Sequence, residues 1–178
     1  MKKILSLFIM IILTSSCSTA TTYISELRND VLEKTEDVGT QIIDVADIYV
    51  GMHEKTNRQT LKEFVGVDPV ITEWCSAFVN SVLNELGLPG SEIVSEYPLM
   101  ARSFMGWGEE VIGKPKAGDV IVFPRGGNNW QGHVGFFVVS FKENGKEYYI
   151  ILGGNQNNEV SYETYESKRA IAIRRWPS

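Results

Sequence analysis

The chain has 178 residues, of which 43% are hydrophobic and 22% are charged, and its formal net charge is -5. This composition is typical of one globular domain and excludes the disordered and fibrous classes. The acidic balance argues against a nucleic-acid partner, because phosphate binding needs clustered Lys and Arg side chains.

The first twenty residues have the features of an export signal. Lys2 and Lys3 give a positive start, and residues 4–13 form an apolar run that is shorter than the roughly 20 residues needed to cross a bilayer. Small polar residues then precede Cys17, as at a bacterial lipoprotein cleavage site. We therefore expect a signal peptide over 1–16 and a lipid on Cys17, so that the protein is exported and membrane-anchored, facing the periplasm or the cell wall. Cleavage after Ala20, which gives a soluble secreted protein, is the alternative.

The segment after the signal is interpreted as a stalk that leads into one domain. Residues 17–40 are expected to form a tether and an N-terminal helix, and residues 41–178 the main domain. Helical spacing of apolar residues predicts helix within 23–50, and 61–65 can form a short helical turn.

The next predicted helix carries the first candidate for chemistry. Thr72 is a suitable N-cap and Gly87 a suitable stop, which places Cys75 in the first turn at the buried edge of the helix. Pro98 can open a further helix that runs to about Gly106.

From residue 111 onward the pattern changes to strands. A strand is predicted over 119–123, a central strand apolar on both faces over 133–140, and a hairpin turn at Asn144-Gly145. Further strands are expected over 148–152, at 162 and over 169–174. Helices followed by antiparallel strands define an α+β fold, with N-terminal helices packed on a sheet of about five to six strands.

Cys75 is a candidate nucleophile. The chain has only two cysteines, Cys17 and Cys75, so a lipidated or removed Cys17 leaves Cys75 without an intrachain disulfide partner. A helix N-terminus favours the thiolate and can offer the backbone N–H of Cys75 to a developing oxyanion. The alternative is a cysteine that serves as a small buried hydrophobe.

His133 is the candidate general base. It lies at the start of the predicted central strand, and Gly132 and Gly135 leave room for close approach on both sides. From such a position an imidazole can take the thiol proton and return one to a leaving amine. The other histidine, His53, lies in a polar loop and is interpreted as solvated.

A third polar group is expected beside the imidazole. If the hairpin turns at Asn144-Gly145, His133 lies level with Gln156 and within one residue of Asn155. An amide oxygen at either position can orient the ring. A slip of one residue in the register exchanges the two candidates.

Five segments of the sequence resemble the CHAP superfamily: EWCSAFVN, ARSFMGWG, PKAGDVIVF, WQGHVGFFV and LGGNQ. These are cysteine, histidine-dependent amidohydrolases and peptidases with a papain-like fold, related to NlpC-type wall peptidases. The resemblance covers residues 42–176. It implies cleavage of peptidoglycan, within the stem peptide or between glycan and stem, with Cys75 as nucleophile, His133 as base and Asn155 as orienting residue.

Several side chains are candidates for binding the substrate. Aromatic side chains give broad contact area to sugars and peptides, and Arg102 could meet a stem-peptide carboxylate. Core packing is the alternative for each tryptophan. The candidate substrate-binding residues are Trp74, Arg102, Trp107, Trp130 and Gln156.

No metal or other cofactor is expected, because the two histidines are far apart and no ligand cluster accompanies them. The expected partners are peptidoglycan and, through the lipid on Cys17, a membrane; the chain is expected to be a monomer. Two other functions stay open. One is a catalytically inactive wall-binding or scaffold lipoprotein on the same fold, and the other is acyl transfer or a toxin-like use of the nucleophile.

Overall fold

The computed structural model describes residues 37–177. The expected signal peptide, the lipidation site at Cys17 and the helix expected before residue 37 lie outside this range. Three α-helices come first: α1 (Val38–Asp47), α2 (Arg58–Val65) and α3 (Cys75–Glu85). Within the described range, no helix combines the length and the apolarity needed to cross a membrane.

Six strands follow the helices: β1 (Glu109–Glu110), β2 (Val120–Pro124), β3 (Gly132–Glu143), β4 (Lys146–Gln156), β5 (Glu159–Glu166) and β6 (Ala172–Arg175). They form one antiparallel sheet in the order β1-β6-β2-β3-β4-β5. Short 3-10 turns cover Ser91–Ile93, Ala101–Gly106 and Ser167–Arg169. The α+β class and the antiparallel sheet are thus confirmed.

Helix α3 begins later than the capping pattern predicts. Its first residue is Cys75, and the N-cap position is held by Trp74, which makes no side-chain cap hydrogen bond. Thr72 is therefore not the cap. The helix expected after Pro98 is only the 3-10 turn Ala101–Gly106. The first turn of α3 consequently keeps its amides free of a capping side chain, which suits the binding of an anion.

The hairpin between β3 and β4 is confirmed. Asn144 and Gly145 both have positive φ, at 51° and 77°, as a two-residue turn of the favoured type requires. Further along, the register shifts between Phe137 and Val139. Because of this irregularity, each residue at the start of β3 pairs with a β4 residue that is one position away from its partner in a regular hairpin.

The sheet buries both faces near the site. Helix α3 packs against β3 and β4, and Cys75 and Phe78 belong to the same apolar cluster as Val134 and Phe136 of β3. A second cluster covers the opposite face; its fully buried members include Ile121, Phe123 and Ile151.

Asp119 lies directly before β2 and holds the turn at the start of that strand. Its carboxylate accepts the backbone N–H of Lys116 at 2.8 Å. It also binds Arg175 through two hydrogen bonds of 2.6 and 2.7 Å while only 1% exposed. The residue therefore also ties β6 to β2.

Candidate active site

Cys75 is held at the start of α3 with 4% of its surface exposed. Burial raises the pKa of the Cys75 thiol, and this effect outweighs the backbone amides of Val134 and Ser76 and the charge of Arg125, which all lower it. The resting sulfur is therefore a neutral thiol. One of these two amides belongs to Val134, the residue directly after His133. The sulfur of Cys75 therefore lies beside the start of β3.

His133 is buried at the start of β3, with 3% of its surface exposed. Its Nε2 lies 3.1 Å from Oε1 of Gln156, and its ring stacks on Tyr165 with centroids 5.6 Å apart. Burial lowers the pKa of His133 to about 4; the Gln156 contact raises it and the charge of Arg125 lowers it further. The imidazole is thus neutral over the ordinary pH range, as a general base must be.

The contacts of Gln156 determine which ring nitrogen carries the proton. Its amide nitrogen donates to the backbone oxygens of Ser161 and Ile151, and its Oε1 accepts the hydroxyl of Tyr165 at 3.1 Å. The atom that meets His133 is therefore an acceptor, and Nε2 of the ring must donate. The lone pair is left on Nδ1, which is buried and has no hydrogen-bond partner.

The Cys75 thiol makes no hydrogen bond with Nδ1 of His133. Nδ1 of His133 has no hydrogen-bond partner. The charge of an ionised Cys75 would raise the pKa of Tyr165, and the Tyr165 ring stacks on the imidazole of His133. In apo sites, catalytic hydrogen bonds are often long and tighten only when substrate binds.

The imidazole partner is Gln156 and not Asn155, which corrects the sequence-based assignment. Asn155 has a left-handed backbone with φ of 57°, and the β4–β5 register shifts between Gly153 and Gln156. This local irregularity breaks the strand alternation. The amide of Asn155 donates instead to Oε2 of Glu73 at 2.7 Å.

Two pockets open on this group of residues. One of about 290 Å³ is lined by Cys75, and one of about 470 Å³ is lined by His133. Arg125 and Gly126, which follow β2, line both pockets. Nη1 of Arg125 lies 3.6 Å from Oε2 of Glu73. Arg125 is a site residue that the sequence analysis missed; its position directly after an apolar strand was the available signal.

Two of the three candidate tryptophans are core residues. Trp74 and Trp107 are both 0% exposed, and their indole N–H groups donate to Glu54 and to the backbone oxygen of Pro89. The expectation that they line a binding groove is therefore wrong. Trp130 is 61% exposed and lines the Cys75 pocket.

The other candidate binding residues have internal partners. Arg102 donates through Nε to the backbone oxygen of Gln131 at 2.8 Å, and it lines neither pocket. It therefore fastens the loop before β3, and the expected carboxylate contact is not supported. Gln156 lines the His133 pocket but is 3% exposed, so its amide serves the imidazole. His53 lines neither pocket, and its Nδ1 accepts the N–H of Lys55.

Within residues 37–177, no group of three or more His, Cys, Asp or Glu side chains could hold a metal ion. The polar groups around Cys75 and His133 are amides, a phenol, the guanidinium groups of Arg125 and Arg169, and the carboxylates of Glu73 and Glu163.

Cys75 thus lies at the start of α3, near the backbone N–H of Val134, the residue directly after His133. The CHAP domain family model matches residues 67–155, half of the chain, and includes Cys75, His133 and Asn155. The chain belongs to the CHAP domain family. No curated protein and no solved structure matches it.

Proposed function

We propose that the protein is a peptidoglycan hydrolase, an amidase or an endopeptidase, in which Cys75 is the nucleophile and His133 the base. One observation carries the proposal. Nδ1 of His133 is a buried acceptor without a partner, in a ring whose other nitrogen is held by Gln156. Such an orphan buried polar atom is costly, and a proton-accepting role explains why it is kept.

The proposed reaction begins from the neutral pair. As the Cys75 sulfur attacks the carbonyl carbon of the substrate, Nδ1 of His133 takes the thiol proton. The backbone N–H of Cys75, at the uncapped start of α3, stabilises the oxyanion. His133 then gives the proton to the leaving amine, and water hydrolyses the thioester with the same imidazole as base. Gln156 holds the ring throughout.

The choice of peptidoglycan as substrate is supported by the CHAP domain match. Trp130, exposed at the mouth of the Cys75 pocket, offers a flat apolar surface to a sugar or peptide. Leu99, 44% exposed, lines the same pocket. We propose that these two side chains support the substrate on the Cys75 side.

A digest of purified peptidoglycan, resolved by mass, tests the proposal. The wild-type protein should release fragments whose masses identify the bond that is cut, and Cys75→Ala and His133→Ala should release none. His53→Ala is the matched control, because it removes the other histidine and leaves both pockets intact. Fragment release by Cys75→Ala at the wild-type rate would refute the proposal.

A second function, wall binding without turnover, is favoured by one observation. Cys75 is almost fully buried, and burial raises the pKa of its thiol, as expected for an inert structural cysteine. A scaffold of this kind would bind peptidoglycan equally well after alkylation of Cys75, and it would release no fragment in the digest.

We also propose that the protein is exported and anchored by a lipid on Cys17. Lys2, Lys3 and the apolar run 4–13 support the proposal, as does the chemistry expected of a wall enzyme. The wild-type chain should be recovered with membranes and carry a diacylglyceryl group on an N-terminal Cys17. Cys17→Ala should lose the lipid, and an unmodified N-terminus after Ala20 in the wild type would favour the soluble form.

A further inference from the structure

Arg125 occupies the boundary between the two halves of the cleft. Its side chain is 47% exposed, and it is one of two residues that line both the Cys75 pocket and the His133 pocket. Its charge also acts on Cys75, His133 and Tyr165, where it lowers each pKa. A positive charge in this position interacts electrostatically with the substrate group that lies next to the reacting atoms.

The guanidinium of Arg125 is only weakly engaged. Its ion pair with Glu73 is long at 3.6 Å and joins side chains that are 47% and 82% exposed. Exposed pairs of this kind are weak. The Asn155 amide also donates to Glu73, at 2.7 Å. Glu73 therefore keeps a hydrogen-bond partner when Arg125 binds a ligand instead. A guanidinium has five N–H donors in a planar fork, which matches a carboxylate.

A second arginine lies on the His133 side. Arg169 lines the same pocket as Arg125 and lies over the Tyr165 ring, 5.9 Å from its centroid. Glu163, the carboxylate that lines this pocket, accepts the Asn157 amide at 2.8 Å. The pocket therefore combines two guanidinium groups with one carboxylate that already has a donor.

We propose that the cleft selects wall peptides that carry a free carboxylate next to the scissile amide, with Arg125 as the primary carboxylate-binding residue and Arg169 as a second. The proposal rests on the proposed hydrolase function and names its substrate class. Arg125 takes the carboxylate-binding role that the sequence analysis expected of Arg102. The Nε of Arg102 donates to the backbone oxygen of Gln131.

Two soluble muropeptides, each a stem peptide still linked to its sugar, that differ only in a carboxylate or a carboxamide beside the scissile bond test the selection. The wild-type protein should prefer the carboxylate about tenfold or more in kcat/KM, chiefly through KM, because bidentate pairs between a guanidinium and a carboxylate are stronger than hydrogen bonds between neutral groups. Arg125→Gln should reduce the preference to near one, and Arg169→Gln should reduce it partly. Arg58→Gln, whose arginine pairs with Asp68 outside both pockets, should keep it.

Equal cleavage of both muropeptides by the wild type would overturn the carboxylate selection while leaving the hydrolase function intact. The same conclusion would follow if Arg125→Gln kept the full preference. Failure to cleave either muropeptide would instead count against the proposed function, and a readout that needs no turnover then decides the selection.

That readout is the alkylation of Cys75 by anionic iodoacetate and by neutral iodoacetamide. In the Cys17→Ser variant Cys75 is the single thiol, because the chain has two cysteines. The ratio of the iodoacetate rate to the iodoacetamide rate should exceed that of free cysteine. It should fall several-fold in Arg125→Gln and not in Arg58→Gln, and added salt should reduce it. A ratio unchanged by Arg125→Gln would refute the anion subsite.

Discussion

Nε2 of His133 and Oε1 of Gln156 lie 3.1 Å apart, and this contact assigns the two ring nitrogens different roles. Gln156 can only accept at this oxygen, because its amide nitrogen is used by backbone oxygens of Ile151 and Ser161. The imidazole must therefore present a lone pair at Nδ1. A glutamine at the end of β4 thus makes the contact that the sequence analysis expected of its neighbour, Asn155.

We expect the two amides to differ in their effect on activity. Gln156→Ala should lower kcat/KM about 100-fold or more, since a misplaced general base loses most of its contribution of 10²–10⁴. Asn155→Ala should cost less, because its amide binds Glu73. Initial rates of peptidoglycan fragment release measure both. A larger loss in Asn155→Ala than in Gln156→Ala would restore Asn155 as the orienting residue.

The pH dependence of activity should reflect the buried imidazole. Burial lowers the pKa of His133 from 6.5 to about 4, so the base stays neutral well below neutral pH. The acid limb of kcat/KM should therefore fall near pH 4. A profile measured with a soluble muropeptide checks this, and an acid limb near pH 6.5 would show that His133 is solvated in the working enzyme.

The same burial predicts how stability changes with pH. Between pH 6.5 and about 4 the unfolded chain binds a proton at His133 that the folded chain does not, so this group's contribution is complete above pH 6.5. It is lost as the pH falls toward 4, and the loss is about 3 kcal/mol. Urea denaturation at several pH values in this window measures it.

His133→Gln is the control for that measurement. The carboxylates Asp68 and Glu166, whose ion pairs with basic residues lower their pKa values, are retained in the variant and cancel in the comparison. The free energy of unfolding of the wild type should therefore fall more steeply than that of the variant. Parallel curves would mean that the ring can be protonated without leaving its folded environment.

Close packing behind the site should make one glycine sensitive to substitution. A Cβ on Gly154 would lie 2.5 Å from Cζ3 of Trp74 and 2.7 Å from Cβ of Phe78. Gly154→Ala should thus lower the free energy of unfolding by about 1–3 kcal/mol through overpacking. Gly127→Ala, where nothing lies within 4 Å, should change it little. Equal stability of the two variants in thermal denaturation would contradict the packing described here.

Local patterns in the sequence predicted the elements that carry the reacting groups. The apolar stripe of α3 predicted a helix with Cys75 in its first turn, and Asn144-Gly145 predicted the hairpin that brings β3 and β4 together. Both features are set by short-range rules, namely the helical period and the positive φ that the turn requires. The positions of Cys75 and His133 in their elements followed from these rules.

Features set by packing or by a local irregularity were not predictable in this way. A register shift beside Val139 and the left-handed Asn155 decide which amide reaches the imidazole, and neither follows from strand alternation. The burial of Trp74 and Trp107 depends on how distant segments pack. The place of Arg125 between the two pockets likewise depends on how α3 packs against the sheet.

The most direct test of the central claim, that His133 activates Cys75 for attack on a wall peptide, is intact-protein mass spectrometry after rapid quenching of a reaction with a soluble muropeptide, which contains both the stem-peptide bonds and the glycan–stem bond. The wild type should show an acyl group whose mass equals the retained part of the substrate, located on the peptide that contains Cys75 and absent in His133→Ala. Hydrolysis that proceeds in Cys75→Ala, or an acyl group found on another residue, would contradict the account.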